Sequence, residues 1–388
     1  MAPLEGLKVL ELARILAGPW VGQVLADLGA TVIKVESPEG DDTRKWGPPF
    51  IEREGDTSAA YFYSCNRGKL SITADFRNPE DLKHIQTLAA EADVVIENFK
   101  VGGLARFGLD YSSLRKANTG VVYCSITGFG QDGPYSSRAG YDYLVQGMCG
   151  LMSVTGDPTG EPQKVGVALT DIYTGLYAVI AIQAALAERQ TSGRGQLVDM
   201  SLLDTGLGTL ANQAMNFLAT GVSPTRMGNQ HPNIVPYQVF PVADGDVIIA
   251  AGNDRQYQAL CDVLDRADLK SNADFATNSG RVAHREKLVP QLRQSTVQWN
   301  KSDLLAALET AMVPASPINS IGEVFDDPQI VARGMQIMPE AVPGVRSPIK
   351  FGRSELALDK TAPRKGEHTT FVRNHGWPSA ETEFLSDD

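Results

Sequence analysis

Cysteine is scarce in this 388-residue chain. Cys65, Cys124, Cys149 and Cys261 are scattered, each in or beside an apolar stretch, with no CxxC pair and no histidine at metal-ligand spacing. That excludes a disulfide framework and a zinc knuckle; four reduced, mostly buried thiols and no metal are expected. Positive charge is in deficit, 35 Lys and Arg against 46 Asp and Glu, for a net charge of −11. Nucleic acid is therefore not an expected partner, although a local Arg and Lys cluster would still hold an anionic cofactor. No stretch reaches the roughly 18 uncharged apolar residues of a membrane span. Met1 to Lys8 lacks a basic segment followed by an apolar run, and Leu385 to Asp388 carries no peroxisomal tripeptide, so a cytoplasmic protein with no membrane partner is expected. The Walker pattern, HExxH and GxSxG are absent as well.

What is present is a 43% hydrophobic chain long enough for one large core or two smaller ones. Its first half alternates short β-branched runs with helical segments. The runs are Lys8 to Leu12, Thr31 to Val35, Asp93 to Ile96 and Val121 to Ile126. This βαβ rhythm predicts an α/β fold with a parallel sheet covered by helices on both faces. Gly18 to Leu28 and a segment opening at Pro79 have helical spacing. A long apolar helix is expected from Asp171 to about Gln190, stopped by Gly193 and Gly195. A second is expected from Leu197 to about Ala219. The texture then changes: Val239 to Val242 and Val247 to Ala251 flank Ala243-Asp244-Gly245-Asp246, which reads as a hairpin. The expected organisation is a large domain over 1–200, a linker helix over 201–226 and a small domain over 227–320. A tail over 321–388, with short strand-like runs at Met335 to Met338 and Ser347 to Phe351, is too small to bury a core alone and is expected to return to the large domain.

The strongest chemical signal is Gly166-Val-Ala-Leu-Thr-Asp171-Ile-Tyr-Thr-Gly175, one carboxylate at the mouth of an apolar helix. Read as structure, Asp171 is an N-cap accepting a hydrogen bond from the first-turn amides, worth about 1 kcal/mol. Read as function, an exposed carboxylate with an ordinary pKa of about 3.9 is already an anion at neutral pH and attacks a thioester without a separate base. Gly166, Ala168 and Gly175 would leave room for an acyl group beside it. Gly128-Phe-Gly-Gln-Asp-Gly133 is formally GxGxxG, but Pro134-Tyr-Ser-Ser137 follows where a dinucleotide site needs a helix, so a turn is the better reading. His231, in Gly228-Asn229-Gln-His-Pro-Asn233, lies in a loop-like stretch where a lone histidine is more often a surface residue than a substrate contact.

Several stretches together resemble the class III CoA-transferases, the family of formyl-CoA transferase, carnitine CoA-transferase and α-methylacyl-CoA racemase. They include Leu4-Glu-Gly-Leu-Lys-Val-Leu-Glu-Leu12, Ala17-Gly-Pro19, Leu28 to Glu36, Asn66-Arg-Gly-Lys69, Glu97-Asn-Phe99, Thr127 to Pro134, Thr170-Asp171, Thr191 to Gln196 and Gly366-Glu-His-Thr369, in that order across nearly the whole chain. The resemblance implies a large Rossmann-like domain built from both chain ends, a smaller α/β domain between, and an interlocked homodimer. It implies coenzyme A, delivered as acyl-CoA, and a carboxylic acid as the two substrates, with Asp171 as the nucleophile. The implied CoA contacts are Arg14 and Ala17 in the first loop, Asn98 and Phe99 after a strand, and Arg106 beyond. Ala74, Arg77, Arg138 and Tyr141 stand at further contact positions of the family.

This chain also departs from parts of the family pattern. Arg14 and Leu16 replace the His and Gln of formyl-CoA transferase, which puts oxalate and formate handling in doubt. Tyr141, in Ala139-Gly-Tyr-Asp142, replaces the His of the racemase branch and removes one of the two groups a racemase needs on opposite faces of its α-carbon. Transfer is therefore expected over the rival racemisation. The stretches around Asp171 and His231-Pro-Asn-Ile-Val-Pro-Tyr237 look most like the dicarboxylate branch, the succinyl-CoA:glutarate type. There His231, with Gly228 and Asn229, or Arg77 would read a distal carboxylate. A nucleotide-binding dehydrogenase and a non-catalytic CoA-binding protein are the rivals from other classes; the missing glycine fingerprint after the first strand argues against the dehydrogenase.

Overall fold

The computed structural model describes residues 1–378, and these form two compact units. The first comprises Met1–Leu151, Val165–Met215 and the residues from Gln329 onward, so both chain ends build it. Its centre is a six-stranded sheet of β1 (Lys8–Glu11), β2 (Thr31–Glu36), β3 (Leu70–Thr73), β4 (Val94–Glu97), β5 (Val122–Thr127) and β6 (Leu197–Ser201). The strands are all parallel in the order β3-β2-β1-β4-β5-β6. The chain leaves β1 toward one side and returns at β4 on the other, so a crevice opens between the loops that follow these two strands.

Side chains alternate across the sheet, and each face has its own core. Val9, Val32, Val94 and Val122 point to one face with α1 (Ala17–Asp27) and α4 (Leu169–Ser192). Leu10, Ile33, Val95 and Tyr123 point to the other, packed by Ile85 and Leu88 of α2 (Pro79–Glu91) and by Val372 and Trp377 near the C-terminus. Asn78 caps α2 by accepting from the amides of Glu80 and Asp81, with Pro79 in the first turn. Edge strand β3 is closed by the chain's far end: Thr369 Oγ1 accepts from Thr73 N, and Trp377 Nε1 donates to Leu88 O.

The structure corrects several elements. Leu197–Ser201 is not the start of a helix but strand β6, in register with Tyr123 to Thr127. After Gly193 turns in the left-handed region, a β-carbon on Gly195 would collide with the Val121 carbonyl, so this glycine lets the chain run close enough to pair as a strand. The expected linker helix is two helices, Leu202–Gly208 and Asn212–Thr220, broken where Ala211 takes a φ of 46°. Gly175 does not open space for a ligand; it packs against Ala17 O and Trp20 of α1. Helix α4 is, by length and composition, apolar enough to cross a membrane, although its uncharged run between Asp171 and Glu188 stays short of the roughly 18 residues of a span. Thr174, Ala178, Val179, Ile182 and Ala185 nevertheless bury one of its faces.

The second unit comprises Met152–Lys164 and Asn216–Pro328, wider than the 227–320 read from texture. The expected hairpin is formed by Tyr237–Val242 and Gly245–Ala250, joined to Ala315–Pro317 as a third strand. Phe240, Val247, Ile249, Tyr257, Leu260, Leu304 and Leu308 form its core. In the tail, Gln336–Ile337 pairs with Gly344–Val345, whereas 347–351 makes no strand because Pro348 has no amide to donate. All four cysteines are free and buried.

Candidate active site

The loop after β1 and the turn after β4 are tied across the crevice. Arg14 N donates to Asn98 Oδ1 at 3.0 Å, and Asn98 Nδ2 donates back to Arg14 O at 2.7 Å. Glu97 Oε2 accepts from Phe99 N at 2.7 Å and fixes the same turn; burial pushes the Glu97 carboxyl up to about 7. A cavity of about 390 Å³ lies over these loops, and Asp171 is in its wall with Arg14, Ala17, Asn98, Phe99, Arg106, Arg138 and Tyr141. An adjoining cavity of about 510 Å³ shares Arg14, Phe99 and Arg106 and adds Ala74 and Arg77. The structure thus brings Asp171 and all the sequence-expected CoA contacts of the first unit to one two-lobed groove. His231, Gly228 and Asn229 are not in it. They sit in a loop of the second unit, where His231 Nδ1 accepts from Asn233 N and its ring lies 5.1 Å from that of Tyr237.

Asp171 is neither an N-cap nor fully exposed. It is the third residue of α4, whose N-cap is Ala168, which offers no side-chain acceptor. The capping work is done from α3 (Asp142–Met148): Asp142 Oδ1 accepts from Thr170 N at 2.9 Å and from Thr170 Oγ1 at 2.7 Å. Gln146 Nε2 holds the other Asp142 oxygen at 2.8 Å. The Asp171 carboxylate is left half-buried and takes no hydrogen bond among the described residues. Burial, reinforced by the facing Asp142 carboxylate, pushes its pKa up to about 7. The expectation of an ordinary anion is corrected: near pH 7 the group is about half ionised. What it gains is an unshared, poorly solvated lone pair, the state in which a carboxylate is most nucleophilic.

The cations differ in readiness. Arg14 is exposed but already paired to Asp42 at 2.6 Å, and Arg77 is chelated by Asp75. Arg106 stacks on Phe107, and Arg138 lies over Phe129 and Tyr135; neither has a carboxylate partner among the described residues. Both guanidinium groups are therefore open to an anion. The Gly128–Gly133 stretch is a turn, with no helix opening until α3. Gly128 packs so closely on the backbone of Gly140 that neither position accepts a β-carbon, which brings Arg138 and Tyr141 to the cavity wall. Asp142 is a functional candidate without a local sequence signal, since its partner Thr170 lies 28 residues away.

A switch-point crevice of a parallel α/β sheet that holds a carboxylate without a hydrogen bond among the described residues, together with two guanidinium groups lacking a carboxylate partner there, suits an enzyme acting on an anionic substrate. The chain matches the model of CoA-transferase family III over residues 4–369. It is 55% identical to a succinate–glutarate CoA-transferase of Agrobacterium fabrum, covering 95% of this chain and 94% of that one. It is 40% identical to the human succinyl-CoA:glutarate CoA-transferase, covering 95% and 85%. The crystal structure of a CAIB/BAIF family protein from Brucella suis superimposes with a TM-score of 0.88 at 60% identity, covering 96% and 99%. The chain belongs to CoA-transferase family III and is a CoA-transferase, an enzyme class that uses CoA thioesters as substrates.

Proposed function

We propose that this enzyme moves CoA from an acyl-CoA donor to a dicarboxylate acceptor of the succinate and glutarate class, through covalent intermediates on Asp171. The observation that carries the reading is the Asp171 carboxylate, half-buried and without a hydrogen bond among the described residues, in a groove that also holds Arg106 and Arg138 with no carboxylate partner there. The acceptor class is supported by the 55% identity to a relative named for succinate and glutarate.

The Asp171 carboxylate attacks the thioester carbonyl, the carbon–sulfur bond breaks, and CoA leaves as thiolate. The resulting mixed anhydride is attacked by that thiolate at the aspartyl carbon, releasing the donor acid and forming an aspartyl-CoA thioester. The acceptor carboxylate attacks this thioester, expelling CoA thiolate again. Attack of the thiolate on the acceptor's acyl carbon then yields the new acyl-CoA and restores Asp171. Every nucleophile and leaving group is a carboxylate or a thiolate, so once Asp171 is ionised no proton need be moved, and held CoA returns at high effective concentration. Arg106 and Arg138 would supply charge-assisted bonds to CoA phosphates.

The enzyme is proposed to act as a homodimer. Tyr173, Leu176, Tyr177 and Ile180 form an exposed apolar stripe on α4, with Tyr141, Tyr143 and Leu144 exposed on and before α3. A patch of this kind suits a second copy of the chain better than solvent.

Mixing the enzyme with succinyl-CoA and then hydroxylamine should place a hydroxamate on the Asp171 peptide by mass spectrometry, and C4 to C6 dicarboxylates should accept CoA. An unmodified peptide during active turnover would overturn the covalent route; use of monocarboxylates alone would overturn the acceptor class.

A further inference from the structure

The turn that leads from β1 into α1 is strained, and the strain is held in part by Lys34 and Asp41, which lie outside the Asp171 cavity and border the adjoining one. Ile15, a β-branched residue, has a φ of 74°, in the left-handed region that such side chains avoid. Nearly every polar backbone atom around it has a tertiary partner. Ala13 O accepts from Lys34 Nζ at 3.0 Å, Asn98 brackets Arg14 N and O, and Ile15 N donates to Asp41 Oδ2 at 3.3 Å. The Cys65 thiol approaches Ile15 O at 3.6 Å. Strained backbone persists only where its surroundings over-determine it, and such places cluster at active sites.

Asp41 is itself locked. Its carboxylate lies 2.9 Å from the Lys34 ammonium, which also pairs with Glu11 at 3.0 Å, and all three side chains are essentially sealed from solvent. Thr43 adds two donors to Asp41 Oδ1, from its amide at 3.0 Å and its hydroxyl at 2.8 Å. A buried ionic cluster of this kind contributes little net stability over an apolar replacement. What this one holds is the segment Arg14–Ala17, which forms the wall of the cavity containing Asp171.

We propose that Asp41, backed by Lys34 and Thr43, is a positioning residue for the transfer reaction. It clamps Ile15 in its left-handed turn, so that the start of α1 meets the thioester beside Asp171. The proposal rests on the reading of Asp171 as the site of transfer.

The test is a double-mutant cycle between Asp41→Asn and Ile15→Gly, since glycine adopts a positive φ without strain and no longer needs the clamp. Thr43→Val, which leaves the buried ions in place, serves as a milder perturbation should Asp41→Asn fail to fold. Turnover from succinyl-CoA to glutarate, CoA dissociation constants and thermal midpoints are measured. Asp41→Asn is expected to lower kcat about tenfold or more with CoA affinity changed less than about threefold, and Thr43→Val to lower kcat about two- to fivefold. In the Ile15→Gly background both losses should shrink to less than about threefold and twofold respectively. Equal losses in both backgrounds, or a fall in thermal midpoint with kcat unchanged, would overturn the proposal. Failure of the Asp171 reading is separable: it appears as full turnover by Asp171→Asn, whatever the cycle gives.

Discussion

A carboxyl group whose pKa is raised by burial and a like charge stores its cost in the ionised form. For Asp171 this has two consequences with opposite signs for activity and stability. On the proposed mechanism the anion attacks, so kcat/KM should rise with pH through about 7 and level off above it; a profile flat from pH 5.5 to 8.5 would show that Asp171 is not titrating in the free enzyme. Stability runs the other way. The folded-state pKa lies above the group's ordinary value of 3.8, so between about pH 4 and pH 7 the folded state binds more proton than the unfolded one, and stability falls as pH rises. Asp171→Asn should therefore lose turnover by about 10⁴-fold or more. It should also raise stability at pH 8 by about 1–2 kcal/mol, a figure discounted because the carboxylate keeps some access to solvent. The gain should vanish near pH 4, as thermal melts at the two pH values would record.

Between residues and the whole chain, the decisive elements are glycine contacts that set how closely two segments run. Gly128 and Gly140 bring the two ends of the 128–141 loop together by backbone contact alone. Gly128→Ala forces that contact apart; it should cost more than about 2 kcal/mol of stability and, by displacing Arg138 and Tyr141, raise the KM for acyl-CoA. Gly322→Ala is the matched control. It lies in the exposed helix Ile321–Asp326 with nothing near its added β-carbon, and it should be neutral or stabilise by up to about 1 kcal/mol. Urea unfolding of both variants distinguishes a steric role from a general intolerance of alanine.

At the scale of the molecule, the acidic chain leaves a conspicuous apolar stripe on its longest helix. Ile180 is 63% exposed and Tyr177 50%, one face of α4 being buried and the other bare. The expected particle in light scattering is twice the 41.8 kDa chain. Leu176→Asp with Ile180→Asp should shift it toward the monomer or precipitate it. A wild-type protein that stays at a single chain's mass at micromolar concentration would refute the dimer.

Much of this architecture is legible along the chain because its causes are local. Short β-branched runs mark β1, β2, β4 and β5, period-3.6 patterns mark α1, α2 and α4, and Asp171 stands out as a carboxylate at the mouth of an apolar helix. The rest was decided by contacts far apart in sequence. Strand β6 has a helical texture in sequence, but Gly195 against Val121 lets it pair at the sheet edge, and that pairing overrides a weak local preference. Asp171 looked like an ordinary anion and a cap until the fold set Asp142 beside it, since ionisation depends on through-space neighbours and desolvation. The strain at Ile15 and the buried charges that hold it have no sequence signature, because both arise only when strands β1 and β2 and the loop beyond them are packed together.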